Sequence, residues 1–171
     1  MRPARLLLSG LVGGAALIAV SCREPGLTAP DRQLPVLEAS SVNSPEGLLR
    51  CRPLAYDSVT KKIGPRGGSI KVSRHVLVIP PLALTGPVAL TLVAPSDTLN
   101  RIQARPEGLA FQWPASLTMS YANCNHSVLP KRIAYTDDSL VILEYVPSVD
   151  DPSKRKVTGQ IKHFSEYGIS W

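Results

Sequence analysis

The sequence predicts an all-β protein, an antiparallel β-sandwich, on three observations. Beyond Cys51 the apolar residues recur with a period of two, which marks strands with one buried face. Turn-forming clusters interrupt them at short intervals: Gly64-Pro65-Arg66-Gly67-Gly68, Pro80-Pro81, Thr85-Gly86-Pro87, Pro106-Glu107-Gly108, Asp137-Asp138 and Asp150-Asp151-Pro152-Ser153. No stretch carries a sustained helical period. About eight to ten short strands at this spacing read as a sandwich.

The elements follow in order. Ile70 and Val72 alternate with Ser69 and Lys71, Val88, Leu90 and Leu92 with Ala89 and Thr91, and Leu117, Met119 and Tyr121 with Ser116, Thr118 and Ser120. Residues 76–79 and 140–143 are continuously apolar, which predicts strands covered on both faces or segments passing between sheets. Gly67-Gly68 lacks the Lys-Ser/Thr of a phosphate-binding loop and reads as a tight turn into the strand from Ser69. Pro80 and Pro81 cannot donate to a ladder, so the strand from Val76 stops there. Val157, Gly159 and Ile161 place His163 on the inner face by alternation. Phe164 breaks the pattern, which predicts a bulge where the last strand bends and Phe164 enters the core.

Before the strands lies an address. Arg2 and Arg5 precede a charge-free apolar run over residues 6–20, and Ala19-Val20-Ser21-Cys22 supplies small residues ending in a thiol. The segment resembles a bacterial lipoprotein signal, with Ala19 where that pattern usually has Leu. The resemblance implies a signal peptide over 1–21 and a mature chain starting at Cys22, with diacylglycerol on sulfur and commonly a third chain, such as palmitate, on the amine. Two or more acyl chains anchor stably where one does not. A spanning helix needs roughly twenty apolar residues, and Ser9, Gly10, Gly13 and Gly14 interrupt this shorter run. A plain secretory signal, with Cys22 at its end by chance, is the other alternative. Residues 22–50, with Pro25, Pro30, Pro35 and Pro45 and several serines, read as a disordered, semi-extended tether. The folded domain is assigned to 51–171.

Removing Arg2 and Arg5 with the signal lowers the net charge from +6 to +4. The basic residues are dispersed, Lys61-Lys62, Lys131-Arg132 and Lys154-Arg155-Lys156, without the clustering and aromatic interleaving of a nucleic-acid surface. They read as charges on loops and edge strands. Of three cysteines, Cys22 is assigned to lipid, and Cys51 with Cys124 to a disulfide in an oxidising envelope compartment. Zinc is the competing use of Cys124-Asn125-His126, but no CxxC or HxxxH pairing accompanies it and only His75 and His163 remain, so no metal site is assigned. No cofactor is expected either.

Several of these features occur together in one family. Ile63-Gly64, Gly67-Gly68-Ser69-Ile70, Leu77-Val78-Ile79-Pro80-Pro81 with Ala83-Leu84, the strand over 88–92, and His163-Phe164-Ser165-Glu166-Tyr167 resemble the ZU-five domain, over roughly residues 60–170. This is the antiparallel sandwich named from zonula occludens proteins and uncoordinated-five netrin receptors. Leu82 stands where the family usually has glycine, the residue that reaches positive φ cheaply. In self-cleaving members a serine attacks the peptide bond before it. Carried over, Ser165 is the nucleophile, the Phe164 carbonyl the electrophile and His163 the proton-transfer group.

No Gly-x-Ser-x-Gly elbow, metal triad or nucleotide fingerprint occurs. Asp137-Asp138 and Asp150-Asp151 stand in turn contexts where carboxylates cap or solvate the bend. The expectation is therefore a non-enzymatic module of the bacterial cell envelope, held at a membrane by its lipid and binding or scaffolding another envelope protein, with no catalytic residue. The alternative is an autoproteolytic domain cut between Phe164 and Ser165. A sugar-binding sandwich would need an exposed row containing Trp113 with Tyr121 or Tyr145.

Overall fold

Eleven strands form in the computed structural model, which describes residues 47–125 and 128–171. The signal, Cys22 and most of the tether lie outside the described residues, as does His126. In chain order the strands are β1 (Asp57–Ile63), β2 (Gly68–Val72), β3 (His75–Ile79), β4 (Val88–Ala94), β5 (Arg101–Arg105), β6 (Ala110–Ser120), β7 (Arg132–Thr136), β8 (Ile142–Val146), β9 (Ser148–Asp151), β10 (Lys156–His163) and β11 (Glu166–Ser170). They make two antiparallel sheets, ordered β1-β4-β5-β11-β7-β8 and β2-β3-β6-β10-β9. The predicted all-β sandwich is the observed fold.

Alternation decides what each sheet buries. Leu90, Leu92, Ile102, Ala104, Ile133, Tyr167 and Ile169 come from the six-stranded sheet, and Ile70, Val72, Leu77, Ile79, Leu117, Met119, Val157 and Ile161 from the five-stranded one. Each fully buried aliphatic side chain is worth about 1.5–3 kcal/mol. The β1–β2 connection is the predicted tight turn, with Gly67 N donating to Gly64 O at 2.9 Å. Gly67 has φ +70°, and a Cβ there would strike the Ile79 carbonyl. Leu82 adopts φ 66° although it is not glycine, and its side chain is exposed.

The turn expected at Asp150-Asp151-Pro152-Ser153 follows β9, and Asp151 caps it, its Oδ1 accepting from Ser153 Oγ at 2.6 Å and from Lys154 N at 3.2 Å. Two sequence expectations need correction. Residues 76–79 and 140–143 are not covered on both faces: Val78, Val141 and Leu143 are exposed, because β3 shows one face to solvent and β8 is a sheet edge. The folded domain also starts earlier than residue 51. Leu48 and Leu49 are buried, and Leu49 N donates to Ile169 O at 2.6 Å while Asn100 N donates to Leu49 O at 3.1 Å. Two leucines beside prolines and serines are too short a run to show a period.

That N-terminal segment continues into the disulfide. Cys51 and Cys124 are bonded across an antiparallel bridge, with Cα atoms 3.9 Å apart and a sequence separation of 73. Closing a loop of this length stabilises by roughly 4 kcal/mol in the chain-entropy model. The Asn100 amide donates to Ser120 O at 2.9 Å and stands 3.3 Å from Cys124 Sγ, fixing the bridge to β6. Nearby, His75 opens β3 at 4% exposure, its Nδ1 without a hydrogen-bond partner. It adjoins a cavity of about 20 Å³ lined also by Cys51, Ser73, Asn100 and Arg101. Burial, reinforced by the neighbouring Arg74 charge, pulls its pKa from 6.5 down to about 4.

Candidate functional site

The residues singled out at the C-terminus mark the passage between sheets. β10 belongs to the five-stranded sheet and β11 to the six-stranded one, so the chain crosses the core at Phe164 and Ser165. Pairing is irregular here as expected, since Ile161 faces Ala115 while His163 faces Ala110. The extra residues belong to β6 and not to the last strand. Pro114, which has no N–H, lies in that irregular stretch.

Phe164 is fully buried and packs edge-to-face on Phe111, ring centroids 5.2 Å apart. Its backbone is held on both sides by the β5–β6 loop: Phe164 N donates to Leu109 O, and Gly108 N donates to Phe164 O, each at 2.8 Å. Ala104 N then donates to Ser165 O at 2.9 Å. Gly108 takes φ +74°, a conformation glycine reaches without a Cβ penalty.

His163 is half-buried and its ring turns to other partners. Tyr135 meets it edge-to-face at 4.8 Å. The Tyr167 hydroxyl donates to the His163 carbonyl at 2.7 Å and lies 3.5 Å from Nδ1. Burial, with Tyr135 and Glu144 nearby, pushes the Tyr167 phenol up. A cleft of about 130 Å³ opens beside these rings, lined by Pro114, Tyr135, Glu144 and His163. Ser165 is buried at 4% exposure, and among the described residues no hydrogen bond joins it to His163. The carry-over from the resembling family thus meets one favourable element, a donor on the Phe164 carbonyl, and lacks a direct path for the serine proton. Sequence reasoning missed Gly108, Tyr135 and Tyr167 as partners, because their proximity depends on strand order.

The outer face of the five-stranded sheet has another character. Val78 opposes Ser116 and Val76 opposes Thr118. Thr118 opposes Thr158, Ser116 opposes Gln160, and Thr158 opposes Val149. The two threonine hydroxyls are 2.9 Å apart. Val78 is 47% and Val149 75% exposed, while the charged positions on this face are Lys71 on the edge strand β2, Asp151 at the end of β9, and Lys156 and Lys162 near the two ends of β10.

Other candidates resolve individually. Tyr121 is buried, and its hydroxyl donates to Asp150 Oδ1 at 2.7 Å; Asp150 Oδ2 also accepts from Lys131 N. Trp113 is exposed on β6, but Tyr145 lies in the other sheet beneath the Arg132 guanidinium, 4.0 Å from the ring centroid. The aromatic row for a sugar is therefore not assembled. Asp137 caps its turn, accepting from Ser139 N and Val141 N at 2.9 Å each. The Cys124 sulfur is committed to Cys51 and presents no thiolate for zinc. A scan against models of known families finds no match for this chain, and a search of curated proteins finds none either.

Proposed function

We propose that this protein is a lipid-anchored component of the bacterial cell envelope whose ZU-five-like sandwich binds or scaffolds another envelope protein without turnover chemistry. The observation that carries the binding part is the uncharged centre of the five-stranded sheet, where Val76, Val78, Ser116, Thr118 and Thr158 adjoin one another and the charges Lys71, Asp151, Lys156 and Lys162 stand on the outer strands or at strand ends. Protein interfaces have this composition: charge is depleted at the centre and collected at the rim. The anchoring part rests on Ala19-Val20-Ser21-Cys22 behind a charge-free run, and the Cys51–Cys124 bridge suits an oxidising compartment.

The test is affinity capture from solubilised membranes with the full chain as bait, comparing wild type with Val78→Arg and Thr118→Arg. Val78 is exposed and Thr118 half-buried on the same outer face, so a circular dichroism spectrum accompanies each variant to verify its fold, and an arginine at an interface centre should reduce the captured partner by tenfold or more. An unchanged set of captured proteins in both variants would refute the assignment of that face.

Self-cleavage is the second reading, and the Gly108 N–H on the Phe164 carbonyl is the observation in its favour. Ser165 Oγ would attack the Phe164 carbonyl carbon, the peptide C–N bond would break to leave an ester and a free amine, and water would hydrolyse the ester. The product lost is the seven residues 165–171. Intact mass of freshly purified wild type beside Ser165→Ala decides it: a seven-residue deficit in the first that is absent from the second establishes the cut.

A further inference from the structure

The net charge of the sandwich sits at one of its ends. The β1–β2, β3–β4, β5–β6 and β7–β8 connections and the β10–β11 crossing lie at the far end, and the β2–β3, β4–β5, β6–β7 and β9–β10 connections at the other. The chain arrives from the tether at this second end, where Leu48 bridges Ser170, Arg50 bridges Leu99 and Cys51 bridges Cys124. Of the fifteen basic and nine acidic residues described, strand position and register put ten basic and four acidic at the tether end, a balance of +6, and five of each at the far end, a balance of zero. Even with Glu166 counted beside its partner Arg101 the balances are +5 and +1. Basic residues dispersed along the sequence are thus gathered by the fold.

The two signs are also presented differently. At the tether end Arg50, Arg52 and Arg74 on loops and Lys71, Arg132 and Lys156 on strands are exposed. The four acids there are engaged within the fold: Asp57 accepts from Ser73 N at 2.6 Å, Asp97 from the Arg101 guanidinium at 2.8 Å, Asp150 from the Tyr121 hydroxyl at 2.7 Å and Asp151 from Lys154 Nζ at 2.7 Å. At the far end Glu107, Asp138 and Glu144 are as exposed as Lys61, Lys62 and Arg66, so both signs face the solvent. Tyr56 just before β1, Trp171 just after β11, and Val128 and Leu129 between β6 and β7 add exposed apolar surface to the tether end. Tyr and Trp beside cations are what a membrane–water interface collects. Leu82 and Trp113 are exposed at the far end too, and it is charge that separates the two ends.

We propose that the tether end docks on the anionic phospholipid headgroups of the membrane that holds the chain, an inference that rests on the lipid anchor proposed above. Attachment and charge share one end, so the domain can stand on the membrane without the tether running along its side. Attraction of a basic residue to an anionic leaflet falls off within a Debye length, about 8 Å at physiological ionic strength. The cations of the tether end come within that range, whereas the far end stands about 20 Å higher, the length of a strand of five to seven residues. Acyl chains and a basic surface together make a two-signal attachment. Docked this way, the strands rise from the membrane and the outer face of the five-stranded sheet stays open to its partner.

The two tryptophans distinguish the ends, Trp171 at the tether end and Trp113, near the start of β6, at the far end. The experiment places the full chain on vesicles of phosphatidylcholine alone, or of equal parts phosphatidylcholine and phosphatidylglycerol, carrying lipid brominated close to the headgroup. Trp113→Phe leaves Trp171 as the fluorophore, and Trp171→Phe leaves Trp113. Trp171 emission should fall by about twofold or more on the phosphatidylglycerol vesicles, stay unquenched on phosphatidylcholine alone, and recover at about 1 M salt, where the Debye length is about 3 Å. Trp113 should be unquenched on both. Arg52→Glu with Arg74→Glu should abolish the quenching with an unchanged circular dichroism spectrum, and Lys62→Glu with Arg66→Glu at the far end should preserve it. Unquenched Trp171 on the anionic vesicles, equal quenching on both compositions, quenching of Trp113 in its place, or quenching that survives in folded Arg52→Glu/Arg74→Glu would each overturn the proposal. Flotation with phosphatidylcholine alone tests the anchor separately: a chain that floats only with the phosphatidylglycerol vesicles lacks the lipid and retains the docking.

Discussion

Acidification should unfold this domain partly through one buried imidazole. His75 is held neutral, with its pKa lowered from 6.5 to about 4 by burial and by Arg74. In the unfolded chain the ring takes up a proton as pH falls through 6.5, while in the folded domain it resists until about 4. The unfolded state therefore binds more protons across that window, and stability declines with pH between the two values. Above 6.5 the contribution is fully present, and below 4 it is lost. At 1.36 kcal/mol per pH unit, the decline comes to roughly 3 kcal/mol. Urea unfolding at intervals from pH 7.5 to pH 4 measures it, with His75→Gln as the reference that removes the titration and leaves the carboxylates to contribute equally to both proteins. The difference between the two stability curves should be flat near neutrality and then open by roughly 3 kcal/mol, a midpoint change on the order of 1–3 M urea. Parallel curves would refute the idea that a buried neutral His75 shapes acid stability.

Three further predictions concern residues read from the sequence. Phe164→Ala, which empties a fully buried site against Phe111, should cost about 3–5 kcal/mol in urea unfolding, whereas Ser165→Ala should leave both mass and fold unchanged. Replacing Cys51 and Cys124 together with Ala should lower stability by up to roughly 4 kcal/mol, and thiol titration of the native wild-type domain should find neither sulfur reactive. Cys22→Ala should leave an unprocessed precursor while wild type partitions into detergent, and a free thiol at residue 22 of soluble wild type would end the lipid assignment.

Legibility of the fold followed the number of inward residues per strand. β2, β4, β6 and β10 each show two or more apolar residues in alternation, and the sequence declares them. β1, Asp-Ser-Val-Thr-Lys-Lys-Ile, buries only Ile63 fully, and β9, Ser-Val-Asp-Asp, buries none; a two-residue period needs more than one marker. The continuous apolar stretch before Glu144 misled in the opposite direction, because apolar content cannot distinguish a covered strand from an exposed edge. At the candidate site, the break in alternation at Phe164 was a local signal and its burial follows from it. The clamp from Gly108 and Leu109, the rings of Tyr135 and Tyr167, and the charge-free sheet face arise from strand order, to which no short stretch of sequence refers.

The covalent link between Cys51 and Cys124 has a mechanical side. A pull arriving from the chain before Gly47 enters through Leu49, whose backbone is bonded to Ile169 and Asn100, and then reaches Cys51. From there tension crosses the disulfide to Cys124 and bypasses everything between them, β1 to β6 included. The 73 positions spanned would otherwise contribute about 250 Å of extended chain. While the bond is intact that length cannot be drawn out, and the most that traction between the two ends of the described domain can unravel is the portion outside the loop. A force–extension record should accordingly lengthen by about 250 Å when a reductant is added, turning a stiff attachment into a compliant one.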